Sequence, residues 1–383
     1  MFYISKVSPF IFVFALVNLL LSLVVKAFDK DLKFFLVVLV FGFIGNTLLG
    51  AMYQIIPNSQ NRKLSFPQLS YIVFGLLLLS FLLFYTGRYD VASLLLASSY
   101  SLFFFHSLFN VKNWMPVTVK FLGVSALYLA LSSLFLALHL HTGIVSLQLA
   151  VHTLTVGSML NAVYGVELAW IPMLLMETLN VRRAQKLFYG KQISTLLLLV
   201  SFFLLDYRLI ALASILEFGI SLYFIYLLYK LLSQRRMPSP LPYVVRAFFV
   251  ALVFLPVGLL LGVFSASHPG VLPEVFRLHM DFLVYGFTTF TIFGGMSHLF
   301  PRIMWNWKFA SRKEGNVPTI NELIDEQGFP VFLERSVATF MLFLVVDSLF
   351  YPLNKLSSLV YLFILFSFFK VTFLHFLKRV REV

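Results

Sequence analysis

The chain has 383 residues, of which 60% are hydrophobic and 12% charged, and its mean hydropathy is +0.92. A water-soluble protein of this composition would have no interior large enough for its apolar surface, so the solvent is a bilayer. The net charge of +13 does not point to nucleic acid, because the charges alternate with apolar stretches; with no cysteine, disulfides and thiolate metal sites are excluded.

Twelve segments are long and apolar enough to span as helices: 9–28, 34–57, 67–86, 89–111, 118–139, 144–175, 192–207, 209–232, 243–266, 273–302, 332–352 and 356–378. The first reads as a span, since no small-residue cleavage site follows it. The seventh and eighth are separated only by Asp206-Tyr207-Arg208. Segments two, six and ten share one pattern: Gly, seven residues, Gly, six residues, Pro. It stands at Gly42, Gly50 and Pro57, at Gly157, Gly165 and Pro172, and at Gly286, Gly294 and Pro301. With 19 Gly and 15 Pro, chance gives about 0.04 such matches, so three copies mark an internal repeat. The expected fold is an all-α membrane protein: twelve transmembrane helices in three pseudo-symmetric four-helix units, about 1–115, 116–236 and 237–383, forming one transmembrane domain around a central axis.

With the N-terminus placed in the cytoplasm, that side collects twenty Lys and Arg residues and the outer side seven. This asymmetry places both termini in the cytoplasm of a cell (inner) membrane. The stretch 303–331 reads as a cytoplasmic loop with a short helix capped by Thr319.

Two of the three motif segments carry a histidine in their outer half. His152 lies twenty residues before Pro172, and His279 lies twenty-two before Pro301. Both sit about 9–12 Å below the outer helix ends at 1.5 Å per residue. Histidines at that depth usually face a partner inside the bundle. The offset of two residues is about 200° of helix rotation, which in a threefold ring turns both side chains into one shared pore. Neutral imidazoles meeting there suit a transition metal or haem iron. Gly157 and Gly286 follow one to two turns inward. Their missing side chains would let a flat macrocycle lie against the backbone, or would simply allow close helix packing. His141 and His268 repeat the spacing eleven residues upstream. They read as interfacial groups or as contacts to a cofactor's edge. His106, His139, His298 and His375 fall near segment ends and read as interfacial.

The tenth segment, RLHMDFLVYGFTTFTIFGGMSHLFPRI, resembles the tenth helix of subunit I of the haem–copper oxidase superfamily. That helix carries a His-x-His pair, then Gly, then Gly near a terminal Pro. The resemblance implies that His279 ligates a haem. The family's second histidine maps to Asp281, and segment two has Phe35 and Val37 where its motif copies carry histidine, so a low-spin second haem site is lost. The copper-ligating His-Pro-Glu-Val-Tyr and His-His patterns are absent, so copper is not favoured. His152 followed by Thr-Leu-Thr-Val-Gly is also similar to the small twelve-span haem membrane proteins linked to nitric oxide resistance. Arg277 and Lys355 are outer-side cations close to the expected haem edge, and the resemblance, which implies basic residues near the loop between helices eleven and twelve on the haem propionates, makes Lys355 a candidate to contact them.

Asp281, Asp347, Glu167 and Glu217 are buried carboxylates by position, and Asn46, Asn161 and Gln148 are similar polar cases. They read as hydrogen-bonded interior groups that fix helix register, or as a proton path. The combined reading is an integral membrane haem protein with one non-covalent, b-type haem between segments six and ten, ligated by His152 and His279 and serving electron transfer. Its partners are membrane lipid, the haem, and a redox partner or other membrane subunits. Two alternatives stay open: a nitric oxide- or oxygen-binding or -reducing haem (or haem–copper) protein, and a non-redox transporter or assembly factor.

Overall fold

In lipid, every backbone polar group of an isolated span must be satisfied within its own segment, and a helix does this. The computed structural model describes residues 3–28, 31–236, 240–270, 273–310, 317–349 and 354–381, with no strand among them. The helices are α1 (Ser8–Ala27), α2 (Leu32–Ser59), α3 (Gln68–Tyr85), α4 (Tyr89–Asn110), α5 (Val117–Thr142), α6 (Leu147–Leu175), α7 (Val181–Leu204), α8 (Tyr207–Ser233), α9 (Tyr243–Ser267), α10 (273–308), α11 (Gly328–Leu349) and α12 (Lys355–Arg381). Eleven are long and apolar enough to cross a membrane. The helix α10, with no Asp, Glu, Lys or Arg from Phe282 to Pro301, takes the remaining place in the series. Of the counted charges, Lys30, Arg312 and Lys313 lie outside the described residues.

The motif helices are the ones surrounded by protein. In α2 and α6, 89% and 72% of the apolar window is buried, against 33–56% in the other crossing helices. Each motif helix also contains a π-helical stretch around its first glycine: Val37–Gly45, Thr153–Met159 and Asp281–Thr288. Eight residues of pure α-helix overshoot two turns by about 80°. A π turn winds more residues into one turn, reducing the overshoot and leaving both motif glycines on one face. That face packs on the preceding helix. A Cβ at Gly42 would lie 2.4 Å from Asn18, and one at Gly50 would lie 3.1 Å from Ile11, both on α1. At Gly157 and Gly165 the neighbours are Tyr128 and Phe121 of α5, both at 2.8 Å. At Gly286 and Gly294 the α9 neighbours are Phe254 and Ala247, at 3.1 and 2.9 Å.

A π turn loosens backbone carbonyls, which then need donors from elsewhere. The carbonyl just before the first motif glycine finds one from another helix in all three copies. Tyr100 Oη donates to Phe41 O at 2.9 Å, Lys191 Nζ to Val156 O at 3.1 Å, and Tyr361 Oη to Tyr285 O at 2.7 Å. The bundle also brings α1 against α12, and α2 against α6 through their π stretches.

Two expectations change. The seventh helix begins at Val181, eleven residues earlier than hydropathy placed it. Asn180 caps it through Arg183 N, and the polar run Arg182–Gln192 is its first three turns. Helix α10 runs on to 308 and α11 starts at Gly328; between them the described residues hold a single 3-10 turn, Asn321–Leu323, and Thr319 bonds the Glu322 side chain. This stretch is packed: Leu323 and Ile324 are buried, and Trp305 Nε1 donates to Pro318 O.

Candidate functional site

Ser146 starts α6 as its N-cap, accepting from Leu149 N. His152 follows within two turns, immediately before the π stretch. Its Nδ1 lies 2.8 Å from Gln148 O, and its ring stacks on Phe202 of α7 with centroids 4.1 Å apart. His279 occupies the matching place on α10, two residues before its π stretch, with Nδ1 2.8 Å from Gly258 O of α9. A carbonyl only accepts, so both Nδ1 atoms carry the proton and each Nε2 keeps its lone pair for a ligand. Tying down the far nitrogen is how proteins orient metal-binding imidazoles.

The structure brings the two rings together. Their centroids are 6.5 Å apart and their planes 18° from parallel. Among the described residues, no cluster of three or more His, Cys, Asp or Glu side chains is placed to hold a metal ion. Two imidazoles alone could hold a metal that brings further donors of its own. Both rings line a largely apolar cavity of about 480 Å³, within the usual range of about 300–1,000 Å³ for cofactor pockets. Gln148 and His268 stand among its polar lining, and Glu217 lines it farther along α8.

Room for His279 comes from Gly262. A Cβ there would lie 2.6 Å from the ring's Cε1 and 2.7 Å from Nδ1. Neither Gly262 nor the Gly258 carbonyl was singled out by sequence. The signal was Gly258-x-x-x-Gly262, a small-residue spacing that marks close helix approach. Phe202 carried no signal, because its role depends on a neighbouring helix.

The other sequence candidates lie elsewhere. Gly157 and Gly286 do not line the cavity; the space of their missing side chains is taken by Tyr128 and by Phe254 and Phe340. Arg277 Nε reaches Asp347 at 3.4 Å, and Lys355 lies over the Phe28 ring at 5.5 Å; neither lines the cavity. Asp281 and Asp347 share Lys26, at 3.3 and 2.9 Å, in a nearly closed cluster of ion pairs. His268 lines the cavity while His141 bonds Asp90 O instead. His106 and His298 are buried rather than interfacial: His106 bonds Ser65 O, and His298 packs on Trp170. His139 bonds Val145 O and His375 bonds Glu322 O.

Lys191, counted as cytoplasmic from the sequence, is fully buried. It pairs with Glu217 of α8 at 2.6 Å and bonds Val156 O and Thr195 Oγ1. Ser194 Oγ donates to the second Glu217 oxygen at 2.6 Å. Glu167 is fully buried, and among the described residues neither of its carboxylate oxygens has a hydrogen-bond partner.

No family model matches the chain. A protein of Aquifex aeolicus (strain VF5), described as "Uncharacterized protein", is 58% identical over 370 residues, 97% of each chain. At that identity and coverage the chain belongs to the same family as that Aquifex aeolicus protein.

Proposed function

We propose that this is an integral membrane haem protein, with one non-covalent b-type haem between α6 and α10 held by His152 and His279. The observation that carries the proposal is the histidine pair on one cavity: two imidazoles with centroids 6.5 Å apart, near-parallel, both Nδ1 atoms committed to backbone carbonyls. When bound, the haem supplies a one-electron couple. His152 and His279 would both hold the haem, and a haem held by two histidines of the chain would suit electron transfer rather than gas reduction. Phe202 and the apolar walls exclude water and hold the His152 ring in plane. A redox partner or further membrane subunits deliver the electron. The test is pyridine haemochrome content with the optical spectrum: one haem per chain supports the reading, and none removes it.

Gly262→Val tests the pocket without touching a ligand. The added side chain is expected to push the His279 ring off the Gly258 carbonyl. Haem content should fall by about 10- to 100-fold in affinity, the usual cost of disturbing a ligand's orienting bond. Unchanged affinity would count against the assigned ring position.

The wider arrangement belongs to the same proposal. Three four-helix units surround one axis, supported by the equivalent π stretches and glycine contacts. Both termini are cytoplasmic in the cell (inner) membrane. Moving Lys191 and Lys26 from the flanks to the interior changes the charge count from twenty against seven to nineteen against six, which keeps its sense.

A further inference from the structure

The repeat allows a comparison within one chain. In two copies the carbonyl before the first motif glycine is held by a neutral tyrosine: Tyr100 on α4 and Tyr361 on α12. Four helices separate α4 from α8 and α8 from α12. The middle helix of that series, α8, brings a carboxylate instead, Glu217, and the carbonyl is held by Lys191. A neutral hydroxyl is therefore sufficient to close this joint. At this carbonyl the second copy alone uses a buried charge pair, and it is the copy whose motif helix carries His152 and whose Glu217 lines the cavity.

A structural role alone does not account for the choice, since a buried ion pair is weak as a source of stability. We propose that Lys191 and Glu217 form a proton-exchanging site for the cavity, taking up a proton when negative charge arrives beside it. This rests on the haem reading above. The site lies close enough to respond. Val156, bonded to Lys191, is four residues or about 6 Å beyond His152 along α6.

The balance is simple. A one-electron donor (dithionite in the test) would be oxidised and the haem held in the cavity would accept its electron. Water supplies one proton, leaving hydroxide in the bulk solvent, and that proton forms an O–H bond on Glu217. Lys191 keeps its three protons, and the pair goes from neutral to singly positive. Ser194, whose hydroxyl donates to Glu217, can rotate to accept instead. The other groups facing the pair are Thr195 from α7, Tyr164 from α6 and Tyr128 from α5; Ser221 of α8 bonds Tyr164, and Glu167 interacts with it electrostatically. None of these brings a second cation.

The experiment is a spectroelectrochemical titration of the full-length protein in detergent, after haem loading, from acid to alkaline pH. As a general scale, a unit charge about 12 Å from a carboxylate, at an effective dielectric near 20, changes its proton affinity roughly tenfold. For one electron, tenfold converts to 59 mV. The wild-type midpoint should therefore fall by about 59 mV in total as pH rises, because alkali opposes the proton that accompanies the electron. Glu217→Gln should flatten the profile. If that variant folds poorly, Lys191→Met with Glu217→Gln removes both charges at similar volume, a replacement that buried pairs tolerate. A flat wild-type profile overturns the proposal, and so does an unchanged profile in the double variant. A wild type that takes up no haem overturns the underlying reading and this coupling with it.

Discussion

Alanine at His152 or at His279 is expected to convert the haem from low spin to high spin or to lose it. The wild type should be low-spin in both oxidation states and should bind carbon monoxide poorly, because two histidines would hold the haem and leave no place for a gas. Removing one imidazole opens a position. Affinity should fall by at least the roughly 10- to 100-fold seen when only an orienting bond is lost, and any haem that remains should bind carbon monoxide. The two variants need not be equal. His279 is oriented from α9 across a helix interface, whereas His152 is oriented by a carbonyl of its own helix. Optical spectra and haem-to-protein ratios decide the matter. If His279→Ala abolishes the spectrum while His152→Ala leaves it untouched, a single-ligand haem with a gas or copper on the far side becomes the better account. If neither variant alters haem content, the transporter or assembly reading replaces both.

Lys191→Ala is expected to destabilise the protein by about 3–5 kcal/mol, the usual result of leaving one member of a buried pair alone. The Glu217 carboxylate would keep only Ser194 as a donor, and Val156 O would lose its side-chain partner in the π stretch. Lys191→Met with Glu217→Gln should come back close to wild type, because neither charge is then stranded. Thermal unfolding in detergent reads both. A single variant as stable as the wild type would show that the pair is more hydrated than its burial indicates.

Helix number and the placing of the motif segments were legible in the sequence, because hydropathy over about twenty residues reports the solvent a segment needs. The start of α7 was not. Arg182, Arg183, Lys186 and Lys191 looked like a loop, and only Asn180's cap and a carboxylate 26 residues beyond Lys191 make them a helix. Charge is tolerated in a span when its partner is present, and that partner is remote in sequence. Arg277 likewise turns to Asp347 rather than toward the cavity.

The sequence by itself determined that the chain lives in lipid, that a motif recurs three times, and that His152 and His279 sit at matching depth in two copies. Those are local or periodic facts, carried by composition and spacing. Only the tertiary structure decided which way each side chain points. The π stretches shift helical phase by an amount no hydropathy pattern records, so the glycines turned to the preceding helices rather than to the cavity. Gly262, Gly258 and Phe202 became parts of the site because α7 and α9 pack beside α6 and α10, and a contact between helices is a property of the neighbour as much as of the residue.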